Sequence, residues 1–284
     1  MTMQKVVFVL VILLISGCAG NPITGKFPSS EEAPTLMPRS VTYQDLSSLP
    51  EPAGKIITSV YAFQDQTGQY RPAPSSNFST AVTQGATAML NTALKDSGWF
   101  IPLEREGLQN LLTERKIIRA ASKGQDSSQS LPPLASASVL LEGGIIAYES
   151  NVRTGGAGAR YFGIGSSGKY RQDQVTVNLR AVDIYTGQIL HSVNVTKTIL
   201  SHEIQAGVYQ FIEYKRLLEA EGGYTNNEPV QLCVMSAIES AVLHLIAQGI
   251  QANSWQLKNP QELNNPVLSP YLNATPPSSL SAIE

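Results

Sequence analysis

A chain of 284 residues with a formal charge of −2 has room for one ordinary domain plus appendages, and no basic excess with which to hold nucleic acid. Charged residues make up 15% of it, against about 25% in soluble domains. That low share suits an exported chain or one with lipid-facing surface.

The chain opens on a targeting segment, residues 1–17. Lys5 supplies the positive start, and the apolar run Val6–Ile15 is too short to cross a bilayer as a permanent helix. It ends in Ile15-Ser16-Gly17-Cys18, which resembles the bacterial lipobox, with cleavage before Cys18 and acylation of its thiol. An ordinary signal peptide followed by a stray cysteine is the alternative. Several acyl chains give stable anchoring, because each buried CH₂ contributes about 0.8 kcal/mol. Ala19 after the cysteine, in place of aspartate, is the pattern associated with forwarding to the outer membrane. Apart from this covalent lipid no cofactor is expected. Residues 18–54 carry Pro22, Pro28, Pro34, Pro38, Pro50 and Pro52 and are expected to be an extended tether.

Residues 55–150 have the pattern of an α/β domain. Lys55–Phe63 suits a buried strand, the loop Gln64–Asn77 contains Pro72 and Pro74, and a helix follows over Ser79–Asp96. Val82, Ala86, Met89, Leu90, Ala93 and Leu94 form its apolar face, and Gly98 stops it. Trp99–Leu103 is a short strand. Arg105–Arg119 is a second helix with Leu108, Leu111 and Leu112 expected inward, and Gln125–Pro133 is a polar loop. Ser138–Tyr148 is a strand.

From Tyr148 the chain becomes strand-like without enough large apolar residues to seal a core. Ala157, Ala159 and Tyr161 alternate with Gly156, Gly158 and Arg160; a turn is expected at Ser166–Lys169; Val175, Val177 and Leu179 then alternate with Thr176, Asn178 and Arg180. A second such stretch follows the turn at Thr186–Gln188. There Leu200, His202, Ile204, Ala206 and Val208 alternate with Ser201, Glu203, Gln205, Gly207 and Tyr209, and Lys215–Glu228 is the return arm. A weak two-residue period over about 10 residues per strand is the signature of a membrane-spanning hairpin, and a soluble edge hairpin has the same alternation. The expected boundaries are 151–173 and 201–227 for the hairpins, with the domain strands 174–200 between them. Four strands cannot close a barrel, and an open edge in lipid leaves backbone groups unpaired. If the hairpins span a membrane, several copies must share one barrel.

Residues 228–258 return to the domain as a helix over Pro229–Ile250, whose apolar pattern makes Cys233 a buried structural thiol. The tail 259–284, rich in Pro, Asn and Ser, is expected to be disordered.

Enzyme motifs fail one by one. Gly20–Lys26 and Gly163–Lys169 both fit G-x-x-x-x-G-K, but Phe27 and Tyr170 stand where Ser or Thr must hold Mg²⁺. The three histidines, His191, His202 and His244, have no ligand spacing, and no G-x-S-x-G is present. No catalytic residue and no metal site is nominated.

Specific strings carry a resemblance. PTLMPR (34–39), SNFSTAV (76–82), ALKDSGWFIPLER (93–105), ERKIIRAA (114–121), YESNV (148–152), GARYFGIG (158–165), QAGV (205–208) and NEPV (227–230) make the chain resemble the curli secretion channel lipoproteins of Gram-negative bacteria, the CsgG family. The resemblance runs from the lipobox to about residue 258 and weakens in the 122–135 loop and the tail. It implies an α/β periplasmic domain with two transmembrane β-hairpins per subunit, the subunits jointly closing one large oligomeric β-barrel. In a nonameric ring roughly 36 strands would close it, within the range of known barrels.

The function so implied is an outer-membrane pore that secretes unfolded curli (functional amyloid) subunits to the cell surface by ATP-independent diffusion. A periplasmic cap and an extracellular accessory factor would be its partners. The resemblance also implies a constriction loop, here 69–79, whose matching positions are Asn77 and Phe78; the family's third constriction residue, a tyrosine, is Ala73 in this chain. Phe78 as a helix-entry hydrophobe packed into the core is the plainer alternative. Asp173, Glu203, Glu219 and Glu221 would make the lumen acidic, or are rim and surface charges. A structural lipoprotein with no pore, or a lipid-anchored hydrolase, remains as a different class of function.

Overall fold

The computed structural model describes residues 39–70, 80–121, 131–161, 164–213, 216–227 and 230–274. Their organising element is a helix. Val230–Gln251 is apolar and long enough to cross a membrane, but most of it is buried inside the domain. Helices are numbered here as α1 (Val41–Ser47), α2 (Ala86–Asp96), α3 (Leu108–Ala121), α4 (Val230–Gln251) and α5 (Ser269–Leu272). Leu243, Leu245, Ile246, Val242 and Ile238 of α4 are fully buried, so the helix contributes apolar surface almost all round. Cys233 is buried on it as expected.

That helix lies on a seven-stranded mixed sheet: β1 (Ile56–Ser59), β2 (Phe63–Asp65), β3 (Phe100–Leu103), β4 (Val139–Tyr161), β5 (Ile164–Asp183), β6 (Ile189–Glu213) and β7 (Arg216–Asn227). The order is β3-β1-β4-β5-β6-β7, with β2 also paired to β4. β1 is parallel to β3 and β4, β2 is parallel to β4, and β4 to β7 form an antiparallel meander. The predicted strand Lys55–Phe63 is two strands, because the chain steps between Ser59 and Phe63 from β1 to the neighbouring stretch of β4. Helix α2 begins at Ala86, well after the predicted Ser79, and Thr87 in its first turn explains its placement. The Thr87 hydroxyl accepts from Phe63 N and donates to Phe63 O, both at 3.0 Å, pinning the helix to β2.

Two regions expected to lack structure are built into the domain. Residues 39–54 are no extended tether: Ser40 caps α1 by accepting from Tyr43 N at 3.1 Å, and Leu46 is fully buried. The predicted disordered tail holds a 3₁₀ helix, Pro260–Asn264, and then α5, with Leu268 fully buried and Tyr271 donating to Asp45 at 2.6 Å. Composition misled in both places, since a few anchoring apolar and tyrosine side chains suffice to dock a proline-rich segment on a ready-made surface. The two segments also clasp each other. Pro52 bridges Leu257, Ala53 N donates to Gln256 O at 2.8 Å, and Lys258 N donates to Glu51 O at 2.9 Å.

Packing is tight at the end of α4. Trp255 stacks edge-on against Phe100 and His191, at 5.5 and 5.3 Å, and its ring fills the space where a Cβ on Gly249 would stand, 2.1 Å away. Gly249→Ala must push an enclosed indole and is expected to cost about 1–3 kcal/mol. Thermal denaturation of the extracted protein, read against wild type, checks this.

Glu239 is the one carboxylate buried in the middle of α4, 3% exposed, and accepts from Ser40 Oγ. Burial pushes its pKa up, against the hydrogen bond from Ser40 and the nearby Arg39. A carboxylate whose folded pKa lies above its unfolded value binds protons more tightly when folded, so it lowers stability as pH rises from about 4.5 through the raised value. Glu239→Gln is therefore expected to raise the melting temperature at pH 7, with the gain fading in acid below pH of about 4.5. Melting curves across that range would reveal a wrong sign.

Candidate functional site: four long strands and a clipped loop

The lower part of β5 and β6 obeys the alternation of a half-buried sheet. Val175, Val177, Leu179 and Ala181 are fully buried, while Thr176, Asn178 and Arg180 between them are half-buried on the other face. Val193 is buried on the neighbouring strand, flanked by exposed Ser192 and Asn194. The helix-covered face is apolar and the open face polar.

Farther along the same strands the pattern inverts. On the face that carries Val175 come Asp173, Arg171, Lys169, Ser167 and Gly165, paired in register with Ile199, Ser201, Glu203, Gln205 and Gly207 of β6. On the opposite face stand Tyr170, Ser166 and Ile164, paired with His202, Ala206 and Val208, with Ile204 opposite Gly168. Strands β4 and β7 follow suit. Thr154, Gly156, Gly158 and Arg160, and Glu219, Glu221, Gly223 and Thr225, fall on the first face; Ala157, Ala159, Tyr161, Ala220 and Tyr224 fall on the second.

A slipped register would produce such an inversion trivially, by exchanging the two faces. The β5–β6 pairing excludes that here, because it runs unbroken from Ile164↔Val208 to Ala181↔His191. What changes along these strands is the polarity of each face.

The outer edges of this four-stranded extension are open. β7 pairs with β6 alone, and the upper part of β4, Arg153–Tyr161, pairs with β5 alone among the described strands. β1 and β2 reach β4 only as far as Ile145. The first hairpin reverses between Tyr161 and Ile164, not at the predicted turn Ser166–Lys169, which lies within β5. The same fact removes the second phosphate-loop match: Ile164–Lys169 are strand residues, with no helix N-terminus after them to hold a phosphate.

Glu203, Glu219 and Glu221 share one face of the extension, with Glu203 opposite Lys169, Glu219 opposite Tyr209 and Glu221 opposite Gly207. Asp173 is corrected. It is 2% exposed, the last position of the helix-covered face before the inversion, and its carboxylate accepts from Tyr148 Oη at 3.3 Å. Strand periodicity gave its face; only the cover over that face decided that it is a buried group and no exposed lumen charge.

Cys18, Ala73, Asn77 and Phe78 lie outside the described residues, but the frame of the 69–79 loop is described. Tyr70 bridges Thr80, and Ala81 N donates to Gln69 O at 2.8 Å, so the loop is clipped shut at its neck. Asp65 secures the approach by accepting from Thr67 N at 2.9 Å and from Gln84 Nε2 at 3.3 Å. Gln66 N donates to Ile145 O at 2.9 Å, and Gln66 Nε2 to Gly143 O at 3.1 Å. The neck therefore sits beside the stretch of β4 where the domain gives way to the long extension. Sequence reasoning missed this clip, since a single bridge across eleven residues leaves no periodic signal.

The description "Curli production assembly/transport component CsgG" matches residues 39–275. The chain belongs to the CsgG family. A relative from Escherichia coli (strain K12) of that name is 56% identical over 282 residues, covering 98% of this chain and all of the relative. CsgG from Citrobacter koseri is 56% identical and CsgG from Salmonella typhimurium 55% identical over the same lengths. A solved PelC dodecamer from Paraburkholderia phytofirmans aligns over 68% of this chain and 90% of its own, at 10% identity and a TM-score of 0.27. That likeness is too low to carry any inference. The CsgG relatives are named as assembly and transport components, and among the described residues no group of His, Cys, Asp and Glu could hold a metal ion.

Proposed function

We propose that this CsgG-family chain forms an outer-membrane pore that secretes unfolded curli subunits from the periplasm to the cell surface. The observation that carries the reading is the inversion of facial polarity along β5 and β6, whose mutual register is unbroken across it, in a four-stranded extension whose outer edges are both open. Beyond Asp173 the face with Lys169, Glu203, Glu219 and Glu221 suits a water-filled lumen, and the face with Ile164, Ile204, Val208 and Tyr224 suits lipid. Each chain gives two hairpins, and β7 of one copy pairs antiparallel with β4 of the next. A nonamer, anchored by a lipid on Cys18, closes the barrel. A periplasmic cap and an extracellular accessory curli factor complete the machine.

Transport needs no ATP in this reading. Confinement of a disordered chain below the pore costs conformational entropy that exit recovers, and folding outside makes the passage one-way. The clipped 69–79 loop leaves the sheet beside the base of the hairpins, the level at which a constriction would gate them. Rings of Asn77 and Phe78 would offer hydrogen bonds and apolar contact without reading sequence.

Single-channel current in planar bilayers tests the pore. Wild type is expected to conduct steadily, and Phe78→Ala to conduct more, since the ring loses its largest side chain. Absence of current from well-folded oligomer would return the chain to the class of structural lipoproteins. Ala73 predicts a wider constriction than one with tyrosine there, so Ala73→Tyr is expected to lower conductance; an equal or larger current in that variant refutes the assignment.

The two faces are tested by charge. Ile204→Arg puts a cation on the lipid face, at a cost of about 2–4 kcal/mol per subunit near the bilayer midplane, and is expected to abolish the heat-modifiable oligomer on gels. Gln205→Arg, one residue on, is expected to leave it assembled.

A further inference from the structure

Gly143 and Gly144 stand side by side within β4, where glycine weakens a strand. Neither has room for a side chain. Gly143 lies at φ +150°, and a Cβ on it would overlap Asn178 O of β5. A Cβ on Gly144 would overlap Gln64 O of β2 and stand 2.8 Å from Gln66 Nε2. Glycine inside a strand often marks the close approach of another backbone. Here that backbone leads into the 69–79 loop.

Strand β2 is short and held on both sides. Phe63, Gln64 and Asp65 pair in parallel with Gly143, Gly144 and Ile145, while the Thr87 hydroxyl of α2 bonds both Phe63 N and Phe63 O. Gln66 then lies across the two glycines, its N donating to Ile145 O at 2.9 Å and its Nε2 to Gly143 O at 3.1 Å. A relay of hydrogen bonds continues to the neck. Asp65 Oδ1 accepts from Thr67 Oγ1 at 2.7 Å, Thr67 Oγ1 accepts from Gln69 N at 3.2 Å, and Gln69 O accepts from Ala81 N at 2.8 Å. A shift of residues 64–66 on β4 is thereby passed to both arms of the loop.

We propose that the Gly143–Gly144 notch and the Gln66 side chain across it are a positioning seat for the 69–79 loop, fixing the height at which that loop narrows the pore. The role rests on the pore reading above. It adds a steadying function for residues that line no constriction, since a ring of side chains has one width only when every copy of the loop stands at one level. The missing side chain at 144 lets the Gln66 amide reach the main chain of β4, and the donor on that amide holds it there.

Open-channel current noise in planar bilayers decides this, because a loop that leaves its seat modulates the narrowest ring without unmaking the oligomer. Gln66→Met keeps the length of the side chain and removes its donor. Loss of one hydrogen bond is expected to raise the time the loop spends off its seat about fivefold, seen as excess noise with the dissociation temperature of the oligomer on gels unchanged. Gln66→Glu supplies the rescue. Its carboxylate cannot donate to Gly143 O at neutral pH, whereas the protonated acid at a pH of about 3.5 can. Its noise is therefore expected to fall to the wild-type level in acid, while that of Gln66→Met does not. Wild type recorded at both pH values accounts for Asp65 and every other native acid. Gly144→Ala must move Gln64 and is expected to be noisy at both. Gln66 is exposed, so its two variants keep the core and decide the matter even if Gly144→Ala fails to assemble. Traces of both Gln66 variants as quiet as wild type at neutral pH, or no recovery of Gln66→Glu in acid, overturn the seat and leave the pore standing. Wild-type oligomer without current overturns the pore, and the seat with it.

Discussion

Every backbone amide and carbonyl that points away from the sheet along the upper part of β4 and along β7 needs a partner, and in the proposed membrane barrel hydrocarbon would supply none. The proposed assembly is arranged around that requirement. A soluble protein would blunt such edges with charge, proline or a covering helix. Here the strands run for 23, 20 and 25 residues in β4, β5 and β6 and leave both outer edges available. Read with the inversion of the two faces, these edges are a feature to be satisfied by copies of the same chain, and the proposed pore is the closed form of that satisfaction.

The domain beneath supplies rigidity. Because β5 and β6 pass in unbroken register from the domain core into the extension, the extension continues the domain sheet, and β4 follows with irregularities after Ile145 and Glu149. Helix α4, held between the N-terminal helix α1 and the C-terminal segment, covers the sheet face that ends at Asp173. The clasp between residues 51–53 and 256–258 and the Trp255 packing against Phe100 and His191 tie the segments before β1 and after α4 to the domain. Two carboxylates are buried here, Asp173 on the sheet and Glu239 on the helix, and the link of Glu239 to Ser40 orients the start of α1.

Function in this arrangement needs no reactive group. The proposed transport depends on geometry: a lumen lined by one face, lipid met by the other, and a loop clipped beside their junction by the Tyr70–Thr80 bridge. In that proposal, passage of an unfolded chain would be governed by entropy and by the width of the narrowest ring, which side chains at 73, 77 and 78 would set.

The residue order alone determined much of this. Periodicity of two in Leu200–Tyr209 and of 3.6 in Pro229–Ile250 located strand and helix, because burial on one face constrains every second or every third to fourth residue. Specific strings such as GARYFGIG carried the family. Composition failed where local chemistry was overridden by a surface made elsewhere, as in α1 and in the segment around Leu268, both docked through a few buried side chains. The expected turn at Ser166–Lys169 failed likewise, since Gly and Ser suit a turn or a strand equally until pairing chooses. Only the tertiary structure could decide that Asp173 is covered, that the 69–79 loop is shut at its neck, and that the two faces exchange character without a slip in register. Each of these depends on which distant segment lies alongside, and that is a property of packing that no local pattern of residues records.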